Sequence, residues 1–291
     1  MTYLSTFKSK PHADRFLEAY DRTLSLWNVA HASVYVPTDY GTTHVLVAGP
    51  VDGEPLVLLH GFGFGATMWY ANVEALSAEF RVYAVDVIGE FNRSEVAAHF
   101  REKSDYADWL SQLLDRLHIE KAAFLGHSNG GWHILNYAMQ VPHRVTKMVL
   151  LAPAASFAPF RKQFGLRLLA ANLIKTRPVI IGYCAKWFVG KGNTVNDYLF
   201  EQFYHGLKGF AWKYKILIPS VFSDEELERI RVSGLMLIGD REVIYDAGSV
   251  FARARAKLPL LETMTIPGAG HALPIERSEL VNERALQFLR S

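Results

Sequence analysis

A serine hydroxyl is a weak nucleophile at neutral pH unless the backbone exposes it and a neighbouring base takes its proton. Residues Gly126-His127-Ser128-Asn129-Gly130 meet the first condition. They follow the apolar run 122–125 and precede a stretch with helical spacing, 131–139. A serine at such a strand-to-helix turn is held in strained backbone with its oxygen exposed, and the glycines two before and two after it leave room for the turn. The five-residue pattern recurs by chance, so the strand–turn–helix setting carries the weight. The second condition calls for a histidine at a later strand end. His271, in Gly268-Ala269-Gly270-His271, comes in the turn directly after the last strand-like stretch, 261–266. The acid that would orient it is sought in Gly239-Asp240-Arg241-Glu242-Val243-Ile244, after the run 235–238, where two carboxylates compete. An oxyanion also needs donors. The loop His60-Gly61-Phe62-Gly63 follows the run 56–59, so the backbone N–H groups of Phe62 and Asn129 are the two candidates. Asn129 begins a helix, where unpaired N–H groups favour negative charge.

These residues need a scaffold that brings strand ends together. Runs rich in apolar residues at 56–59, 81–85, 122–125, 148–151 and 235–238 read as strands buried on both faces, with 261–266 as the last of the series. Helical patterns lie between them at 68–78, 106–117, 131–139, 247–257 and 280–289. Such alternation implies crossover connections and a mainly parallel sheet covered by helices on both sides. Ahead of it, 11–27 reads as an amphipathic helix, and 32–36 and 43–48 as two strands joined by a turn around Asp39-Tyr40-Gly41. One stretch breaks the rhythm. From 157 to 222 there are aromatic-rich helical segments at 160–174, 180–189 and 195–210 instead of a buried strand and helix. An insertion of that length between sheet strands is usually functional, and a lid over the site is the natural reading.

Together these motifs resemble the α/β-hydrolase fold superfamily, in its capped serine esterase-like branch. The matching residues are His60-Gly61-Phe62-Gly63, Asp86-Val87-Ile88-Gly89, Gly126 to Gly131, Gly239 to Glu242, and Gly270-His271. The resemblance covers about residues 32–289, and the 157–222 segment is its least specific part. It implies an α/β fold with a mainly parallel central sheet and a helical cap inserted after the sixth strand. The core would be 1–156 and 223–291, with 1–28 as an N-terminal helical extension. It also implies that Glu242, three residues past Gly239, is the acid. The family usually has aspartate there, which leaves Asp240 as a rival and Asp246 as a weaker one. Asp86 would be structural, the His60 ring would brace the oxyanion loop, and His127 would pack beneath the elbow. The turn Gly89-Glu90-Phe91-Asn92-Arg93-Ser94 departs from the glycine-rich turn common in the family, so the nearby loop geometry is open.

The implied activity is hydrolysis of a carboxylic ester of a small to medium, partly apolar molecule through an acyl-enzyme. No metal or cofactor is needed for that chemistry. A C–C bond hydrolase, a lactonase, an amidase or a cofactor-free perhydrolase would use the same residues. A non-turnover small-molecule receptor is the alternative from another class.

Bulk properties narrow the setting. The 291 residues are 50% hydrophobic and 21% charged, enough for one large core. A net charge of +2 does not indicate a nucleic-acid partner. The single cysteine, Cys184, rules out an internal disulfide and a cysteine metal cluster. No secretory leader and no membrane span is visible, so a cytoplasmic location is expected; the oligomeric state stays open. Between Glu120 and Asp197 there is no acidic residue, while Arg161, Lys162, Arg167, Lys175, Arg177, Lys186 and Lys191 fall in the insertion. That run reads either as a positive entrance for anionic substrates or as a solvated face balanced by acids elsewhere.

Overall fold

The computed structural model describes residues 6–291. Its centre is one sheet in the order β1-β2-β4-β3-β6-β7-β8-β9. The strands are β1 (His31–Thr38), β2 (Gly41–Ala48), β3 (Pro55–Leu59), β4 (Arg81–Val85), β5 (Glu95–Val96), β6 (Ala122–His127), β7 (Val145–Leu151), β8 (Gly234–Gly239) and β9 (Leu261–Ile266). β1 and β2 form an antiparallel hairpin, β2 meets β4 antiparallel, and every pairing from β4 through β3 to β9 is parallel. Every residue of β6 and β8 is buried, as continuous apolar runs require when helices cover both faces. β1 is a largely exposed edge strand and carries Pro37, whose missing N–H is tolerated at an edge.

The helices are α1 (Lys10–Leu24), α2 (Val73–Ser77), α3 (Lys103–Arg116), α4 (Asn129–Gln140), α5 (Lys162–Leu173), α6 (Asp197–Gly209), α7 (Asp224–Leu227), α8 (Ala247–Lys257), α9 (Leu273–Glu276) and α10 (Ser278–Arg290). The mainly parallel sheet flanked by helices agrees with the sequence reading. Four details differ. β9 closes the far edge of the sheet, and only Leu261 and Ile266 of it are buried, because among the described residues no further strand or second helical layer covers its Glu262, Thr263 and Thr265 side chains as the central strands are covered. The two-residue β5, which pairs with β2, is too short to leave a hydrophobic pattern. It makes β7 the strand before the insertion, which was the sixth of the strands legible in the sequence. The expected helix over 68–78 is split into a 3₁₀ turn, Ala66–Ala71, and α2. Asn72 interrupts it because its side chain donates away from the helix, to the Pro274 carbonyl and to Asn282 Oδ1. The expected helix over 180–189 is a π-helical turn, Pro178–Cys184, followed by a 3₁₀ turn, Ala185–Phe188.

Two apolar cores result. The larger one joins the sheet to its flanking helices. The smaller one joins Phe16 and Tyr20 of α1 to Phe91 and to Phe200, Phe203 and Leu207 of α6. The N-terminal helix therefore packs mainly on the inserted segment. Among the described residues no helix is long and apolar enough to cross a membrane.

Candidate active site

The loops that follow β3, β6, β8 and β9 gather at the carboxyl edge of the sheet, where open α/β sheets bind their ligands. Ser128 sits between β6 and α4 with φ 52° and ψ −112°, a conformation that a non-glycine residue rarely adopts. Close packing enforces it. A Cβ on Gly130 would lie 1.9 Å from the Leu59 carbonyl oxygen, so only glycine lets α4 press against the end of β3. The Ser128 N–H donates to the Leu151 carbonyl at 2.9 Å, and its own carbonyl accepts from Ala154 N–H at 3.0 Å. The serine backbone is thus tied to the end of β7 as well.

The structure brings Ser128, His271 and Glu242 into one line. Ser128 Oγ lies 2.9 Å from His271 Nε2, and His271 Nδ1 lies 2.8 Å from Glu242 Oε2. All three residues are buried. The other Glu242 oxygen, Oε1, accepts the N–H groups of Val243 (2.7 Å) and Ile244 (2.8 Å). The longer glutamate side chain therefore folds back over its own turn while still reaching the imidazole. Asp240 is exposed and outside this line. Asp246 caps α8 by accepting from Ser249 N–H at 2.8 Å. A Cβ on Gly239 would meet the Ala269 carbonyl oxygen at 2.1 Å, so this glycine allows the β8 and β9 loops to close on each other.

Two neighbouring histidines hold backbone. His60 Nε2 accepts from Val87 N–H at 2.9 Å, which puts the ring proton on Nδ1, where it is donated to the Gly61 carbonyl at 2.9 Å. His60 thus braces the loop from β3 against the loop from β4. His127 Nε2 donates to the His271 carbonyl at 2.8 Å. Burial, and then the proximity of His271, push the His127 pKa well below the usual range, so the ring stays a neutral strut. Asp86 is fully buried and accepts from Tyr20 Oη, His44 Nδ1, and the N–H groups of Ala66 and Arg93. Burial alone would raise its pKa, yet the bond and charge of His44, with His60 and Ala66 N–H, hold the carboxyl below its ordinary value. That is a structural network joining α1, β2 and the β4 loop.

Neither the Phe62 N–H nor the Asn129 N–H has a protein acceptor among the described residues, so both are available to a ligand. The neighbouring groups are taken by a residue that sequence reasoning did not single out. Glu90 is buried, with Oε2 accepting from Gly63 N–H at 2.6 Å and Oε1 from Asn129 Nδ2 at 2.6 Å. The one signal was the unusual turn after Gly89, where a carboxylate stands in place of a small residue.

A cavity of about 360 Å³ lies over Ser128 and His271, within the usual range for small-molecule sites. Its walls are largely apolar. Phe62, Met68 and Tyr106 come from the sheet side; Phe164, Leu168, Phe188, Phe203 and Trp212 come from the 157–222 segment. The irregular stretch after α6 adds Ile216 to Pro219. Several of the segment's basic side chains are answered by acids outside the basic run. Arg161 faces Asp246 at 3.5 Å, Lys186 faces Asp197 at 3.6 Å, and Arg177 pairs with Glu201. Arg167 lies over the rings of Tyr183 and Trp187. This favours the balanced-face reading of the charge run over an open positive entrance.

The profile of the alpha/beta hydrolase fold family matches residues 54–174. A Bacillus subtilis (strain 168) protein named uncharacterized carboxylesterase nap is 38% identical over 288 residues, 95% of this chain and 93% of its own length. The crystal structure of carboxylesterase CesB (YbfK) from Bacillus subtilis superposes with a TM-score of 0.91 at 36% identity, covering 96% of this chain and 98% of that one. The crystal structure of naproxen esterase (carboxylesterase NP) from the same organism gives 0.90 at 38% identity, with 96% and 98% covered. Likeness of this extent, over nearly the full length of each partner, makes this chain a member of the α/β-hydrolase fold family, on its carboxylesterase branch.

Proposed function

We propose that this chain is a serine hydrolase that cleaves carboxylic esters through an acyl-enzyme. The observation that carries the reading is the buried line Ser128–His271–Glu242, with contacts of 2.9 and 2.8 Å, facing an apolar cavity. In this reading His271 Nε2 accepts the Ser128 proton as Oγ attacks the ester carbonyl. The N–H groups of Phe62 and Asn129 hold the developing oxyanion, and losing one such donor typically costs about 3–4 kcal/mol in the barrier. Glu242 keeps the proton on His271 Nδ1 and stabilises the imidazolium. His271 then protonates the departing alcohol. Water attacks the acyl-enzyme with His271 again as base, which returns Ser128 and releases the carboxylic acid.

The aromatic lining suits an apolar acyl or aryl group on a small to medium ester. The same reading makes 157–222 a cap over a hydrolase core formed by 1–156 and 223–291. The names of the three relatives described above, 36–38% identical over nearly the whole chain, support ester chemistry over C–C, lactone or peracid chemistry.

The test is hydrolysis of p-nitrophenyl esters of increasing chain length by the native protein and by Ser128→Ala. Removal of the nucleophile is expected to lower kcat by about 10⁶-fold on every ester that the native protein turns over. A Ser128→Ala protein with native rates would remove the mechanism altogether.

A further inference from the structure

The buried carboxyl of Glu90 is not used by the chemistry above, yet it stands beside it. It lies in the loop after β4 and borders the cavity close to Ser128 and Asn129. Its two oxygens bond in two directions. Oε2 takes Gly63 N–H, the residue after Phe62, and Oε1 takes the side-chain amide of Asn129, the residue after Ser128. These are the two chain segments whose free N–H groups face the reacting carbonyl in the proposed mechanism. One arrives from the end of β3 and the other from the end of β6. One carboxyl hydrogen-bonds both segments.

The surroundings fit a fixed strut. His60 Nδ1 is 3.8 Å from Oε2, but its proton is donated to the Gly61 carbonyl. Asp86 and Tyr106 also face the group, and none of these three neighbours is a lysine or arginine that would draw it away. Burial pushes the Glu90 pKa up, with Asp86 adding to the effect, while His60, Gly63 N–H and Asn129 oppose it. Among the described residues Asn129 Oδ1 is buried without a hydrogen-bond partner, so the amide can turn over and accept a hydrogen bond from a donor at position 90.

We propose that Glu90 is a positioning residue for the oxyanion hole, setting the spacing between the Phe62 and Asn129 N–H groups by bonding Gly63 N–H and the Asn129 amide at once. The inference rests on the serine-hydrolase reading above. A donor displaced by about 1 Å costs on the order of 10²-fold in rate, because the oxyanion is stabilised only where donors are already aimed. Substrate binding in the apolar cavity does not depend on that spacing.

The experiment compares native protein, Glu90→Ala, Glu90→Gln and Ser128→Ala with p-nitrophenyl butyrate, together with inhibition by butaneboronic acid, whose tetrahedral serine adduct places an oxygen in the hole. Glu90→Ala is expected to lower kcat by about 10²-fold, with KM within about three-fold, and to weaken the boronate by a similar factor. Glu90→Gln keeps an acceptor for Gly63 and offers a donor to the turned-over Asn129 amide, so it recovers at least about ten-fold of the loss. If Glu90→Ala keeps kcat within about three-fold of native, or Glu90→Gln is no better than Glu90→Ala, the proposal is wrong. Should Glu90→Ala fail to fold, Glu90→Asp decides. Its shorter side chain reaches one segment only, so a kcat loss above about ten-fold at native KM supports the strut and a native kcat overturns it. The underlying mechanism fails separately, through an active Ser128→Ala, whatever the Glu90 variants do.

Discussion

The sheet edge and the 157–222 segment meet around one cavity but are held by different means. On the sheet side, Ser128, Glu242 and His271 stand just beyond β6, β8 and β9, in backbone pinned by carbonyl and N–H contacts and by glycines with no room for a side chain. On the other side, α5 presents Phe164 and Leu168 to the cavity while Leu166, Leu169 and Leu173 are 62, 55 and 74% exposed. Gly165 and Gly182 in that segment have nothing within 4 Å of an added Cβ. The geometry of the chemistry is thus set by backbone at strand ends, and the shape of the cavity by side chains on short helices. Changes on the sheet side should act on kcat, and changes in the insertion on substrate choice.

The sharpest test of the sheet side concerns the acid. Glu242→Ala is expected to lower kcat by about 10⁴-fold, and Asp240→Ala by less than about two-fold, in the same ester assay. The reverse ranking would reassign the residue that orients His271. A stability pair breaks the comparison in another way. Gly130→Ala forces a methyl against the Leu59 carbonyl and is expected to destabilise the fold by about 3 kcal/mol. Gly165→Ala, in open space within α5, is expected to stabilise by about 0.5–1 kcal/mol, raising Tm by roughly 2 °C. Equal shifts of the same sign in a thermal melt would mean that the two regions do not differ as described. The smallest effect concerns selectivity. Phe164→Ala should reduce kcat/KM for a phenylacyl ester about ten-fold and leave an acetyl ester near native. Equal losses on both esters would place Phe164 in the structural support of the site instead of in its selectivity.

The same contrast explains what could be read from the residues. Ser128, His271 and the Phe62 loop were legible because each stands in the turn after a strand-like stretch, and a parallel sheet brings such ends together. The choice between Glu242 and Asp240 was not legible from the residues alone. It depends on a fold-back in which Val243 and Ile244 N–H groups hold one oxygen of Glu242 while the other meets His271. Glu90 was hidden for another reason. Its partners are 27 and 39 residues away, and nothing local marks a carboxyl that bridges two loops. In the insertion, composition announced helices but not their form. Packing of Ile180, Ile181 and Cys184 into the smaller core accompanies a π-helical turn where 3.6-residue spacing was expected. The docking of α1 on α6 was equally invisible, since an amphipathic stripe shows that a helix has a buried face but not what covers it.

The central claim is that Ser128 becomes covalently acylated during turnover. The direct measurement is an acid quench of the native protein within the first turnover of p-nitrophenyl butyrate, followed by mass analysis of the peptide that contains residue 128. The account predicts a butyryl adduct on Ser128, a matching burst of p-nitrophenol of about one per protein molecule, and neither in Ser128→Ala. Turnover by native protein with the acyl group on another residue, or an undiminished burst from Ser128→Ala, would contradict it.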